Sequence, residues 1–138
     1  MKHFALYELV DKTTFHQYGE AAWQFFNPEA LQALDDLRDF FNRPITINNW
    51  WDGKGSFQWR GFRTPEKAAE LGAPHSQHAL GNAFDCDIEG YDADEARKII
   101  MANKDAENIK RIMRLEDKVG WVHFDLLKVT DRIHLFRA

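Results

Sequence analysis

Two short stretches of the chain alternate strictly between apolar and polar residues, and they restrict the fold more than any other feature. In Ala83-Phe84-Asp85-Cys86-Asp87-Ile88 the residues Phe84, Cys86 and Ile88 fall on one face, with Asp85 and Asp87 on the other. In Trp121-Val122-His123-Phe124-Asp125-Leu126 the apolar set is Val122, Phe124 and Leu126, opposite Trp121, His123 and Asp125. A period of two is the signature of a strand with one face on the core. A histidine on the non-core face of a strand is not there to fill volume, so the polar faces are candidates for chemistry. With 138 residues the chain has enough for one core and too little for two, so a single domain spanning 1–138 is expected.

The remaining pattern supplies helices to cover that sheet. Asn27 is a capping residue, Pro28 suits the first helical position, and Leu31, Leu34, Leu37 and Phe41 recur at helical spacing up to Asn42-Arg43-Pro44. Ile45-Thr46-Ile47-Asn48 then alternates as a strand, and Asp52-Gly53-Lys54-Gly55 forces a loop. Thr64-Pro65-Glu66 opens a short helix through about Leu71, stopped by Gly72-Ala73-Pro74. Asp92 and Glu95 have capping-box spacing ahead of a helix presenting Ala96, Ile99 and Ile100. Ile109 to Leu115 fits helix or strand, Asp117-Lys118-Val119-Gly120 is turn chemistry leading into a hairpin, and Ile133-His134-Leu135-Phe136 supplies a closing strand. The fold class is α+β, with helices packed on a small, mainly antiparallel sheet.

Composition removes several function classes. Eighteen Lys and Arg against twenty-two Asp and Glu give a formal charge of −4, which offers no electrostatic attraction for nucleic acid or anionic lipid. No run approaches the roughly 18 apolar residues of a spanning helix, so no membrane insertion is expected. Glu8 interrupts the place where a signal peptide would carry its apolar region; synthesis in the cytoplasm without such a peptide is expected. The single cysteine, Cys86, excludes an internal disulfide and a cysteine-based zinc knuckle. Any metal must therefore be held by His, Asp or Glu. A monomer is the default expectation for the oligomeric state.

Among six histidines, two lie in segments that look built around them. His78 sits in the polar loop Ser76-Gln77-His78-Ala79-Leu80-Gly81-Asn82, and Gly81 lets that loop turn sharply into the strand carrying Asp85. His123 projects from the polar face of the second alternating strand. Two imidazoles and one carboxylate suit Zn²⁺ at roughly 2.0–2.2 Å, leaving a fourth tetrahedral position open, which marks catalytic more often than structural zinc. The net charge of such a site, about +1, would acidify a bound water toward a pKa of ~7.

These residues carry a resemblance. Ser-x-His-x-x-Gly-x-Ala-x-Asp, here Ser76, His78, Gly81, Ala83 and Asp85, followed by Trp-x-His-x-Asp, here Trp121, His123 and Asp125, resembles the zinc D-Ala-D-Ala carboxypeptidase and L-alanyl-D-glutamate peptidase family. These are the hedgehog-type LAS metallopeptidases. The Asn-Pro-led helix, Pro44-Ile45-Thr46-Ile47 and Gly61-Phe62-Arg63-Thr64 follow the order of its compact bacterial and phage-type members, so the likeness runs from about Tyr7 to Phe136. The resemblance implies zinc held by His78, Asp85 and His123, and a substrate-facing arginine at Arg63. It also implies a general base at Glu116, matching the glutamate that compact members carry just ahead of Trp-x-His-x-Asp. Some members place a glutamate three residues before the last histidine; Gly120 stands there in this chain. The implied activity is cleavage of peptidoglycan stem peptides, with the enzyme reaching the cell wall by a phage lysis route.

The same residues admit competing readings. A cysteine nucleophile fails because alternation turns Cys86 to the apolar face, away from Asp85 and His78. Trp50, Trp51 and Trp59 would suit carbohydrate stacking, but core and cleft packing accounts for aromatics at this chain length. The stretch Asn49–Gln58 reads as an insertion that lines the cleft. Asp87 and Asp125 are spaced to orient the ligands or simply to face solvent. The contrasting functional reading is a zinc-bearing domain without hydrolysis, acting as a cell-wall binding or phage structural module, which the missing Glu-x-x-His would explain.

Overall fold

The computed structural model describes residues 1–138. The chain order is α1 (Lys12–Tyr18), α2 (Pro28–Phe41), β1 (Ile45–Thr46), α3 (Pro65–Glu70), β2 (Ala83–Ile88), α4 (Ala93–Ala102), β3 (Arg114–Glu116), β4 (Val122–Asp125) and β5 (His134–Phe136), with short 3₁₀ segments at Leu6–Glu8, Gly19–Phe25 and Trp50–Asp52. The strands form one open sheet in the order β1-β2-β4-β3-β5. All neighbours are antiparallel except β3 and β5, which run parallel. The α+β architecture with a mainly antiparallel sheet is thus as the pattern predicts.

Local chemistry starts and stops the helices. The Asn27 side chain accepts from the Glu29 N–H at 3.0 Å and Asn42 closes α2 in the left-handed region at φ 51°. Ala30, Ala33, Leu34, Leu37 and Phe41 form the buried stripe of α2. Full burial of Leu34 and Leu37 contributes about 1.5–3 kcal/mol each. Asp92 and Glu95 form the reciprocal capping box of α4, at 2.8 and 3.1 Å. The strand expected over Ile45–Asn48 is shorter, Ile45–Thr46, because Asn48 leaves the ladder to donate to Val10 C=O at 3.0 Å and accept from Arg60 N–H. Of the stretch Ile109–Leu115, the strand alternative holds only at its end, in β3; Ile109 is buried in a turn and Ile112 in the irregular segment before the strand.

The N-terminal quarter carries no clean periodicity yet is well buried. Phe4, Leu6, Leu9, Val10, Ala22 and Phe26 all enter the core. α1 is capped by Asp11, which is itself buried and accepts from the Thr14 N–H at 3.0 Å and from its hydroxyl at 2.6 Å. This segment backs the loop before β2. A Cβ on Gly81 would lie 2.0 Å from the Phe25 carbonyl oxygen, and Gly81 has φ +67°, so only glycine fits there.

Candidate metal centre

The register of the sheet sets the site. On β2 and β4 Asp85 pairs directly opposite His123, and Phe84 opposite Phe124. The second pair faces the core, where both rings are fully buried. On the other face, β4 presents His123 and Asp125, and β3 presents Arg114 opposite Asp125 with Glu116 two residues on. Where β2 meets β4 this polar face is covered: Asp85, His123 and Asp125 are all buried. It forms one side of a cavity of about 370 Å³ whose lining includes Arg63, His78, Asp85, Arg114, Glu116 and His123.

His78 reaches the same point from the loop. Its Nδ1 donates to the Gly61 carbonyl at 2.8 Å, which turns Nε2 toward Asp85, 3.3 Å from Oδ1. The loop is held by Asn82, whose side chain donates to Gln77 at 2.9 Å and accepts from Asn27 at 2.8 Å. The Arg63 N–H donates to the His78 carbonyl, and the Ser76 hydroxyl accepts from the His78 N–H. His123 sits between two carboxylates, with Nδ1 2.8 Å from Asp85 Oδ1 and Nε2 2.8 Å from Asp125 Oδ2. Arg114 grips Asp125 with two parallel hydrogen bonds of 2.9 and 2.8 Å and lies over the Phe136 ring at 3.9 Å.

The donor set fits a divalent cation. One ligating atom from each of His78, Asp85 and His123 lies within 4.8 Å of the other two. The Gly61 carbonyl and the Asp125 carboxylate occupy the outward ring nitrogens of the two histidines, the arrangement that orients imidazoles toward a metal. Two imidazole nitrogens and one carboxylate oxygen are a donor set that would suit zinc, and all three residues line the cavity. Burial alone would raise Asp85, but the charges and hydrogen bonds of His78 and His123 outweigh it and hold the group well below the usual carboxylate range. His123 shows the mirror balance: burial lowers it, while hydrogen bonds to Asp125 and Asp85 prevail and take it to about 9.

Arg63 lies beside this triad. Its Nε donates to the Trp59 carbonyl at 2.8 Å and its Nη2 stands 3.3 Å from Asp85 Oδ2. Burial pulls its guanidinium below the ordinary value, against the opposing charges of Asp85 and Glu116. Glu116 lines the cavity from β3, half-buried, on the face shared with Arg114. His75 lines the mouth but is exposed. Cys86 is fully buried on the apolar face, and burial pushes its thiol far up.

Two residues of the alternating strands divide. Asp125 orients His123, whereas Asp87 is exposed and pairs with Arg60 at 2.8 and 3.2 Å. Arg114 was missed by sequence reasoning; its position two residues before Glu116 is the only signal, and it needs the β3–β4 register to acquire meaning. Of the aromatic insertion, Phe57 and Gln58 border a cavity next to Arg63, while Trp50 and Trp51 pack outward against Phe15 and Tyr7.

The His78–Asp85–His123 cluster beside a cavity is a candidate metal site of a kind that zinc hydrolases use. The family profile described as peptidase M15 matches residues 2–135, and the chain belongs to that family of zinc-dependent peptidases. Comparison with curated proteins gives no match, and comparison with solved structures gives none either.

Proposed function

We propose that this protein is a zinc-dependent peptidase that cleaves the stem peptides of peptidoglycan. The observation that carries the proposal is the convergence of His78, Asp85 and His123 with Arg63 and Glu116 around one cavity in a peptidase M15 chain. His78, Asp85 and His123 would hold the ion, which when bound supplies Lewis acidity toward a carbonyl oxygen and lowers the pKa of water. Asp125 and the Gly61 carbonyl fix the two ring orientations. Arg63 presents its guanidinium to the scissile carbonyl, where it would stabilise the developing negative charge. Glu116 accepts the proton of the attacking water and passes it to the leaving amine. The Trp121 ring forms one cleft wall.

A non-hydrolytic zinc-bearing module is the second reading, favoured by Gly120 in the place where some members of the family carry a glutamate. Delivery to the wall by a phage lysis route belongs to the same proposal. Turnover of purified peptidoglycan peptides by the zinc-loaded protein and its Glu116→Gln variant separates the readings. The peptidase account expects wild-type cleavage and a loss of about a hundredfold or more in kcat for the variant, at equal zinc content. Equal turnover would remove Glu116 from the mechanism, and no turnover by either protein would favour the binding module.

A further inference from the structure

Arg97 is a buried charge that takes no part in the metal centre. It lies on the core side of α4 with Ala96 and Ile100, and its side chain is only 7% exposed. A guanidinium taken out of water ordinarily meets a carboxylate. Here the carboxylates stand off, with Asp117 Oδ1 4.0 Å from Nε and Asp94 Oδ1 3.9 Å from Nη2, and Nε meets no protein acceptor within hydrogen-bond distance. Nη1 instead donates twice to main chain, to the Val119 carbonyl at 3.0 Å and to the Trp121 carbonyl at 2.9 Å. The side chain is aimed at a turn, not at an ion pair.

That turn has few other ties. Residues 117–121 join β3, which carries Glu116, to β4, which carries His123. Lys118 and Gly120 are exposed, and a Cβ on Gly120 would meet nothing within 4 Å. Lys118 sits in the left-handed region at φ 63°, a conformation that a residue with a side chain keeps only where its surroundings hold it. At the β3 end the Asp117 N–H donates to the Phe136 carbonyl at 2.7 Å. At the β4 end the tie is Arg97. Trp121 closes the turn and lines both the cavity at the metal ligands and a neighbouring cavity of about 510 Å³ bordered by Phe57 and Trp59. Trp121 is 37% exposed, so core packing does not lock its ring, and the direction of its backbone sets where the ring stands.

We propose that Arg97 is a positioning residue for the cleft: by holding the Val119 and Trp121 carbonyls it keeps the Trp121 ring where it walls the substrate. Arg97 acts through Trp121 and touches neither substrate nor metal. The kinetic consequence rests on the peptidase reading above, whereas the placement of the ring rests on geometry alone.

The test compares Arg97→Met, Arg97→Lys, Trp121→Ala and the double variant Arg97→Met/Trp121→Ala, each zinc-loaded and held below its melting temperature. Methionine keeps an unbranched stem and removes every donor, while lysine returns one ammonium that can reach a carbonyl. With 5-fluorotryptophan incorporated, the five tryptophans give one fluorine resonance each, and Trp121→Phe identifies that of Trp121. Arg97→Met should shift or broaden the Trp121 resonance and leave the others in place, and Arg97→Lys should move it less. On stem peptides Arg97→Met should raise KM about tenfold with a much smaller change in kcat, at unchanged zinc content, and Arg97→Lys should recover part of the loss. In the Trp121→Ala background Arg97→Met should add less than about twofold, because residues acting as one unit are not additive. An unmoved Trp121 resonance, a change spread evenly over all the tryptophans, or KM effects that multiply in the double variant would overturn the positioning role. Should Arg97→Met fail to fold, Arg97→Lys is read by the same spectra and kinetics against the same outcomes. No cleavage of any peptide by the wild type would overturn the peptidase reading, and the fluorine spectra then decide the role of Arg97 on their own.

Discussion

Replacing Arg114 with methionine probes how the sheet supports the centre. Asp125 is fully buried, and its carboxylate meets Arg114 twice, His123 Nε2 once and the Leu127 N–H once. Methionine keeps a flexible apolar stem against Phe136 but removes both guanidinium bonds. Breaking a fully buried ion pair from one side costs 3–5 kcal/mol. Here the Arg114 side chain is 18% exposed and Asp125 keeps two partners, so about 3 kcal/mol is the expected loss. For a chain of this length that lowers Tm by roughly 10 °C. Asp125 also orients His123, so zinc affinity should fall about 10- to 100-fold. Calorimetric melting and zinc titration against a chelator measure the two effects. An Arg114→Met protein that melts and binds zinc like the wild type would refute the Arg114–Asp125–His123 chain of support.

Arg63→Lys keeps the charge but loses the planar fork that reaches both Trp59 and Asp85, so kcat/KM should fall about tenfold or more with zinc content unchanged; unaltered kinetics would make Arg63 a packing residue. In the metal-free protein the stability contributed by His123, whose folded value is about 9 against an ordinary 6.5, is fully present below pH 6.5 and lost as pH rises through 9. Asp85, held below its ordinary 3.8, adds stability that is present above that value and lost on further acidification. The chelated protein should therefore show a higher urea midpoint at about pH 5.5 than at about pH 10, and equal midpoints would contradict the His123 contacts.

Much of this arrangement was legible because strand alternation and a sharp glycine turn are local signals. The faces of β2 and β4 follow from sequence period alone, and with them the opposition of Cys86 to Asp85. The α4 capping box and the Asn27 cap are equally local. What stayed hidden depends on pairing between distant segments. Arg114 looks like any surface arginine until β3 places it opposite Asp125, and β5 reads as a closing strand without showing that it runs parallel to β3. The N-terminal segment is built from 3₁₀ turns and one seven-residue helix, so its buried Leu6, Leu9 and Val10 show no steady period. The burial of His123 was equally hidden, because it comes from the loop with His78 and from β3 and β5 closing over a face that alternation marks only as polar.

Zinc content per chain, measured on the purified protein and on two variants, tests the central claim most directly. The account predicts about one zinc for the wild type and for Cys86→Ser, whose position lies on the core face, and essentially none for His123→Ala. A His123→Ala protein that folds and keeps its full zinc would contradict the placement of the metal among His78, Asp85 and His123.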